Sequence, residues 1–136
     1  VTPHLALALA EQGRLSFQTE DLKTARGALE RFINEDKANK DPFKAWAPQQ
    51  RPRVMYYLGW VNASEKKHVE AAKYFSQVPR NHPLAPDSAL QQGIALINAE
   101  NFEVASKHFP QMLNQFRDHE KLSLVVYFLL MSLLLS

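Results

Sequence analysis

The chain has no cysteine. That single absence removes disulfides, thiolate metal sites and cysteine nucleophiles together. Glycine is scarce, with four residues in 136. No glycine-rich phosphate loop and no Gly-x-Ser-x-Gly elbow is present. Excess charge is also small. Sixteen Lys and Arg against fourteen Asp and Glu leave +2, well short of the basic footprint of a nucleic-acid binder. The histidines His4, His68, His82, His108 and His119 are scattered. His119-Glu120 opens like a zinc-protease motif, but Ser123 stands where the second ligand belongs. No catalytic residue, metal site or cofactor is therefore expected. The chain opens on Val1 and reads as a processed or excised piece, with no signal peptide.

What remains favours helix. Apolar residues make up 46% of the chain and charged residues 22%. Ala, Leu, Gln, Lys and Glu are abundant, and all are good helix formers. A length of 136 residues suits one domain with a real core.

The organising feature is a pattern written twice at an offset of 34. Gly59 is answered by Gly93, Ala71 by Ala105, Phe75 by Phe109 and Val78 by Met112. A fixed period of this size marks stacked supersecondary units. A glycine inside a helix costs about 1 kcal/mol against alanine, so its repetition implies close approach by a neighbouring helix. The register predicts that Gly59 meets Ala71 at a helix crossing, and that Gly93 meets Ala105. Pro83 is expected to stop the second helix of its unit.

Taken in order, His4 to Phe17 reads as a helix. Asp21 or Thr19 can cap the next one, along which Leu22, Ala25, Leu29 and Phe32 form a stripe. Placing Gly13 on the Gly59 position puts Leu29 on Phe75, which defines a third copy over 6–39. The other copies span 52–85 and 86–119. Residues 40–51 form an insertion holding at most one helical turn between prolines. It reads as a connector in which Phe43 and Trp46 plug the gap between the first two units, or as a binding loop. Helices are expected over 53–64, 67–78, 89–99 and 102–116, with Asn101 as a cap and a kink at Pro110. Lys66-Lys67-His68 reads as a solvated turn, Arg51 and Arg53 as solvated first and as contacts for an acidic partner second, and His108 as a surface or boundary histidine. Tyr56, Tyr57 and Trp60 form an aromatic cluster, suited either to the core or to a protein-binding hot spot.

The C-terminal helix, 120–136, ends in a stretch without charge. Leu122–Ser136 is fifteen residues long, about 22 Å as a helix, short of the about 30 Å of a hydrocarbon core. It is apolar on every face and asks for burial on every side. It reads first as the opening helix of a fourth unit, then as a homodimer contact, and third as a membrane anchor. It is expected to pack partly on 102–116 and partly on something outside the chain.

The repeated pattern resembles the tetratricopeptide repeat (TPR). The resemblance implies an all-α, right-handed α-solenoid of about three TPR-like hairpins plus a C-terminal apolar helix. In that family the first helices line a concave groove for a peptide or partner helix. Carried onto this register, the groove positions are Arg14, Phe17 and Gln18, then Arg53, Tyr56, Trp60 and Ser64, then Asp87, Leu90, Ile94 and Asn98. The family's early Trp or Leu is here Met55 or Ala89, its later aromatic is Asn62 or Leu96, and its late proline is Arg117 in the third unit. The two-lysine, two-asparagine clamp for C-terminal carboxylates is not matched. The phrase His82–Ala89 resembles the inter-repeat turns of bacterial cell-envelope TPR proteins such as the Tol–Pal coordinator family. That implies the periplasm or cell envelope, with the cytoplasm as the alternative.

The expected function is a scaffold or adaptor binding another protein or peptide, with no enzymatic activity and no nucleic acid. The alternatives are a helical accessory domain of a larger envelope enzyme and a self-assembling subunit joined through 122–136.

Overall fold

The computed structural model describes residues 4–117 and 120–136, without the side chain of Leu122. Among the described residues there are seven helices and no strand. They are α1 (Leu5–Gln18), α2 (Leu22–Ala38), α3 (Phe43–Ser64), α4 (His68–Phe75), α5 (Ala85–Asn98), α6 (Phe102–Gln115) and α7 (Leu122–Leu135). The pairs α1–α2, α3–α4 and α5–α6 form hairpins, and each second helix also packs on the first helix of the next unit. The chain is a helical-repeat solenoid.

Each hairpin is locked by the same contact, sixteen residues apart in sequence. A Cβ at Gly13 would lie 2.2 Å from Leu29, at Gly59 2.6 Å from Phe75, and at Gly93 2.3 Å from Phe109. The glycine therefore meets the large side chain rather than the predicted Ala71 or Ala105. Both alanines are fully buried nearby. Burying each such Phe contributes about 1.5–3 kcal/mol. The absent Cβ is what lets the ring approach the facing helix.

The turns repeat as well. After α1, α3 and α5 the chain passes through Glu20, Lys66 and Glu100, with φ of 65°, 61° and 61°. The next amide returns to the helix at 2.8 Å each time: Asp21 N–H to Ser16, Lys67 to Asn62, and Asn101 to Leu96. This is the Schellman arrangement, which satisfies carbonyls left free at a helix end. Here it is built without glycine. Asp21 caps α2 through its carboxylate, which accepts from the Thr24 amide, while Thr19 closes α1. Asn101 makes no such side-chain bond to α6.

Besides α5, which opens at Ala85 rather than at 89, two boundaries depart from the sequence expectation. The insertion is not a loop with a single turn, because residues 43–51 are the first half of α3, and Pro48 and Pro52 lie inside that helix. A proline cannot donate to the carbonyl four residues back. The helix continues because Phe43 and Ala47 are anchored in the first unit. Phe43 does plug that gap, its ring 5.0 Å from Phe32. Trp46 does not; it is 40% exposed. The second departure is α4, which ends at Phe75, well before Pro83. Pro79 is nearer, and the residue before a proline, Val78, is driven out of the helical region.

The core runs through three clusters. One joins α1, α2 and α3, one joins α3, α4 and α5, and one joins α5, α6 and α7. α7 packs mainly on α6, with Phe128 stacked on Phe109 at 6.2 Å. No helix among the described residues is long and apolar enough to cross a membrane.

Candidate functional site

An aromatic strip ties two of the first helices, α1 and α3, together. Phe17 of α1 reaches Tyr57 and Trp60 of α3, with ring centroids 5.9 and 6.2 Å apart. Trp60 also rests edge-on against Phe75 at 5.8 Å. Phe17, Tyr56, Tyr57 and Trp60 are all half-buried, neither sealed in the core nor free in water.

Beside the strip lies an ion-pair centre that the sequence reading did not anticipate. Glu11 accepts from Arg14 at 2.8 Å and from Arg53 of α3. Hydrogen bonds from Arg14 and then Arg53 hold the Glu11 carboxyl at about 2. The pair Glu11–Arg14, three apart on one helix, was the only local signal. The tie to Arg53 spans 42 residues and left none. Gln50 accepts from Arg53 as well. Arg53 is thus structural as well as surface-facing. Arg51 is also tied down, its guanidinium forked onto Asp36 at 2.6 and 2.8 Å.

Asp87 is the corresponding link on α5. Its carboxylate accepts from the Tyr56 hydroxyl and, at 2.8 Å, from Lys121. Burial pushes the Asp87 carboxyl up, but the bonds from Lys121 and Tyr56 outweigh it and hold it below the usual range. The Tyr56 hydroxyl is pushed up by burial and by its bond to Asp87.

The remaining positions divide. Gln18, Ser64 and Asn98 are exposed at the ends of α1, α3 and α5. Leu90 is not on the groove wall: it is 2% exposed, sealed among residues of α6 and α7. Ile94 is half-buried against the same cluster. The reason is α7, whose packing covers the part of α5 that the register assigned to a partner.

Two clefts lie on the opposite layer, between second helices. One of about 410 Å³ lies beside residues 76–80, with Met112 of α6 and Phe116 just after it opposite. Another of about 330 Å³ lies between α2 and α4, lined by Ile33, Met55 and Tyr74. The first exists because α4 is short. His108 borders it, donating Nε2–H to the Ala89 carbonyl at 2.7 Å, and burial pushes its imidazole down. In the expected solvated turn, Lys66 and Lys67 are exposed, but His68 is half-buried and its Nδ1 has no hydrogen-bond partner among the described residues. Among the described residues no group of three or more His, Cys, Asp or Glu could hold a metal. His119 lies outside the described residues.

Fold and site together define the class: a helical repeat with an aromatic and charged first-helix face. Residues 53–85 match the family model described as tetratricopeptide repeat. Repeats of that family generally mediate protein–protein interaction and are typically non-catalytic. No curated protein and no solved structure matches the chain.

Proposed function

We propose that this chain is an interaction scaffold or adaptor that holds a peptide or partner helix along the first-helix face of α1, α3 and α5. The observation carrying this reading is the half-buried strip Phe17–Tyr57–Trp60, flanked by Arg14 and Arg53. Tyr, Trp and Arg are the side chains that dominate protein–protein hot spots. On the phrase His82–Ala89 we place the scaffold in the bacterial cell envelope, as with the Tol–Pal coordinator kind. A second reading, self-association through 122–136, is favoured by the apolar side chains that α7 leaves exposed.

The test uses peptides selected on the full chain from a displayed random library, titrated by calorimetry. Trp60→Ala is expected to weaken binding by at least about 2 kcal/mol, and Arg14→Glu, outside the core, to weaken it as well. Val69→Ala, on the exposed side of α4, is expected to leave it unchanged. Unaltered affinity in both groove variants, with helicity retained, overturns the reading.

A further inference from the structure

α7 repeats the position of a first helix. In α5, Ser88 and Ala95 are buried against α4; in α7, Val125 is buried against α6, and Ser132, seven residues on, is buried too. Aligning these pairs puts Val126, Leu130 and Leu133 of α7 on Ala89, Gly93 and Leu96 of α5. One unit earlier the same three positions are Met55, Gly59 and Asn62. In α3 this stripe is buried, with Gly59 under Phe75 of its own second helix. In α7 the stripe is open: Val126 is 42% exposed, Leu130 55% and Leu133 53%.

The glycine position identifies the occupant. In all three hairpins the second helix drives a Leu or Phe into the space where the glycine has no Cβ. Leu130 fills that space in α7, so a second helix of the repeat's own kind cannot dock there. The stripe needs a partner helix that is apolar and brings a hole rather than a knob at its centre. It carries no charge. Of the other exposed large apolar residues, Tyr127 and Leu134 flank the stripe, Leu124 and Leu135 lie on another face of α7, and Leu7, Leu15, Trp46, Val69 and Val104 stand apart on other helices. α7 itself is the matching surface. The spacing Val126–Leu130–Leu133 is a heptad-type seam, in which each knob enters a hole on the facing helix. Antiparallel pairing also sets opposite helix dipoles side by side. Tyr127 and Leu134, exposed at its edge, widen the open surface toward the about 800 Å² per partner of a standard interface.

We infer that the Val126–Leu130–Leu133 stripe of α7 is the contact of a symmetric dimer, occupied by the α7 stripe of a second copy running antiparallel. This rests on the self-association reading and adds to it the face, the register and the exclusion of a fourth hairpin.

Light scattering on the full chain tests both levels. Wild type is expected at twice 15.5 kDa, and Val126→Glu with Leu130→Glu at the monomer mass with helicity retained. Leu124→Glu, on the far edge of α7, is expected to stay dimeric. Should the double variant fail to fold, cysteine replaces it: the chain has none, so Leu130→Cys should oxidise to a linked dimer while Leu124→Cys does not. Wild type that remains monomeric at all concentrations overturns self-association itself. A dimer that survives the double substitution but breaks with Leu124→Glu leaves self-association standing and overturns the proposed face.

Discussion

Phe75 occupies the place that a side chain at Gly59 would need. A Cβ there would lie within 2.6 to 2.8 Å of three ring atoms. The same interlock joins Gly13 to Leu29 and Gly93 to Phe109. The scarce glycines of this chain thus go mainly to helix contacts. Gly27 is the exception, with nothing within 4 Å of its would-be Cβ.

Gly59→Ala and Gly27→Ala should therefore move stability in opposite directions. Alanine gains about 1 kcal/mol over glycine in a helix interior. At Gly27 that gain stands alone, so the variant is expected to be stabilised by about 0.5–1 kcal/mol. At Gly59 the methyl group meets a buried ring, and overpacking of about 1–3 kcal/mol leaves a net loss. Urea unfolding of both variants checks this. Equal effects at the two sites would count against the interlock.

The turn residues make a second expectation. Glu100 sits at φ 61° without being glycine, where a side chain costs about 1–2 kcal/mol. Glu100→Gly removes that cost and loosens the unfolded chain in exchange. The expected result is a gain of about 0.5–1 kcal/mol, seen as a raised melting temperature. A loss would show that the Glu100 side chain makes a contact worth more than the backbone cost.

A third concerns acid. Because the folded Asp87 carboxyl is held below its ordinary range, its stabilisation is present at neutral pH. It is lost as pH falls through the folded value. Asp87→Asn removes the charge received by Lys121 and Tyr56 and should cost about 1–2 kcal/mol at pH 7. The variant's stability should then fall less steeply than wild type below pH 4. Denaturant midpoints at pH 7 and pH 3 read this out. Parallel curves would mean that Asp87 is not the group responsible.

The repeat was legible because its packing is written in residue types. A glycine and an aromatic at fixed spacing encode the interlock, and the register carried over to Gly13 and Leu29 despite the longer first interval. What escaped was decided by longer-range forces. Pro48 and Pro52 are strong local breakers, yet burial of Phe43 and Ala47 carries α3 through them. The turns were legible by position, but their left-handed form was not, because it falls on Glu20, Lys66 and Glu100, where glycine is the usual signal. Tyr56 and Trp60 were readable as one cluster from helical spacing, whereas Phe17 came only through the register that the TPR resemblance implies. The sealing of Leu90 depended on where α7 docks, and the Glu11–Arg53 bond on two helices meeting far apart in sequence.

α4 has only eight residues. Free helices shorter than about 12–15 residues are marginal in water, so this one persists because α3 and α5 hold it between them. α3 and α5 barely approach one another except through long side chains such as Tyr56 and Asp87. A load drawn along the array therefore falls on its middle. The blocks α1–α3 and α5–α7 would swing apart about residues 76–84, and the molecule would behave as a clasp with one joint rather than as a spring of uniform stiffness.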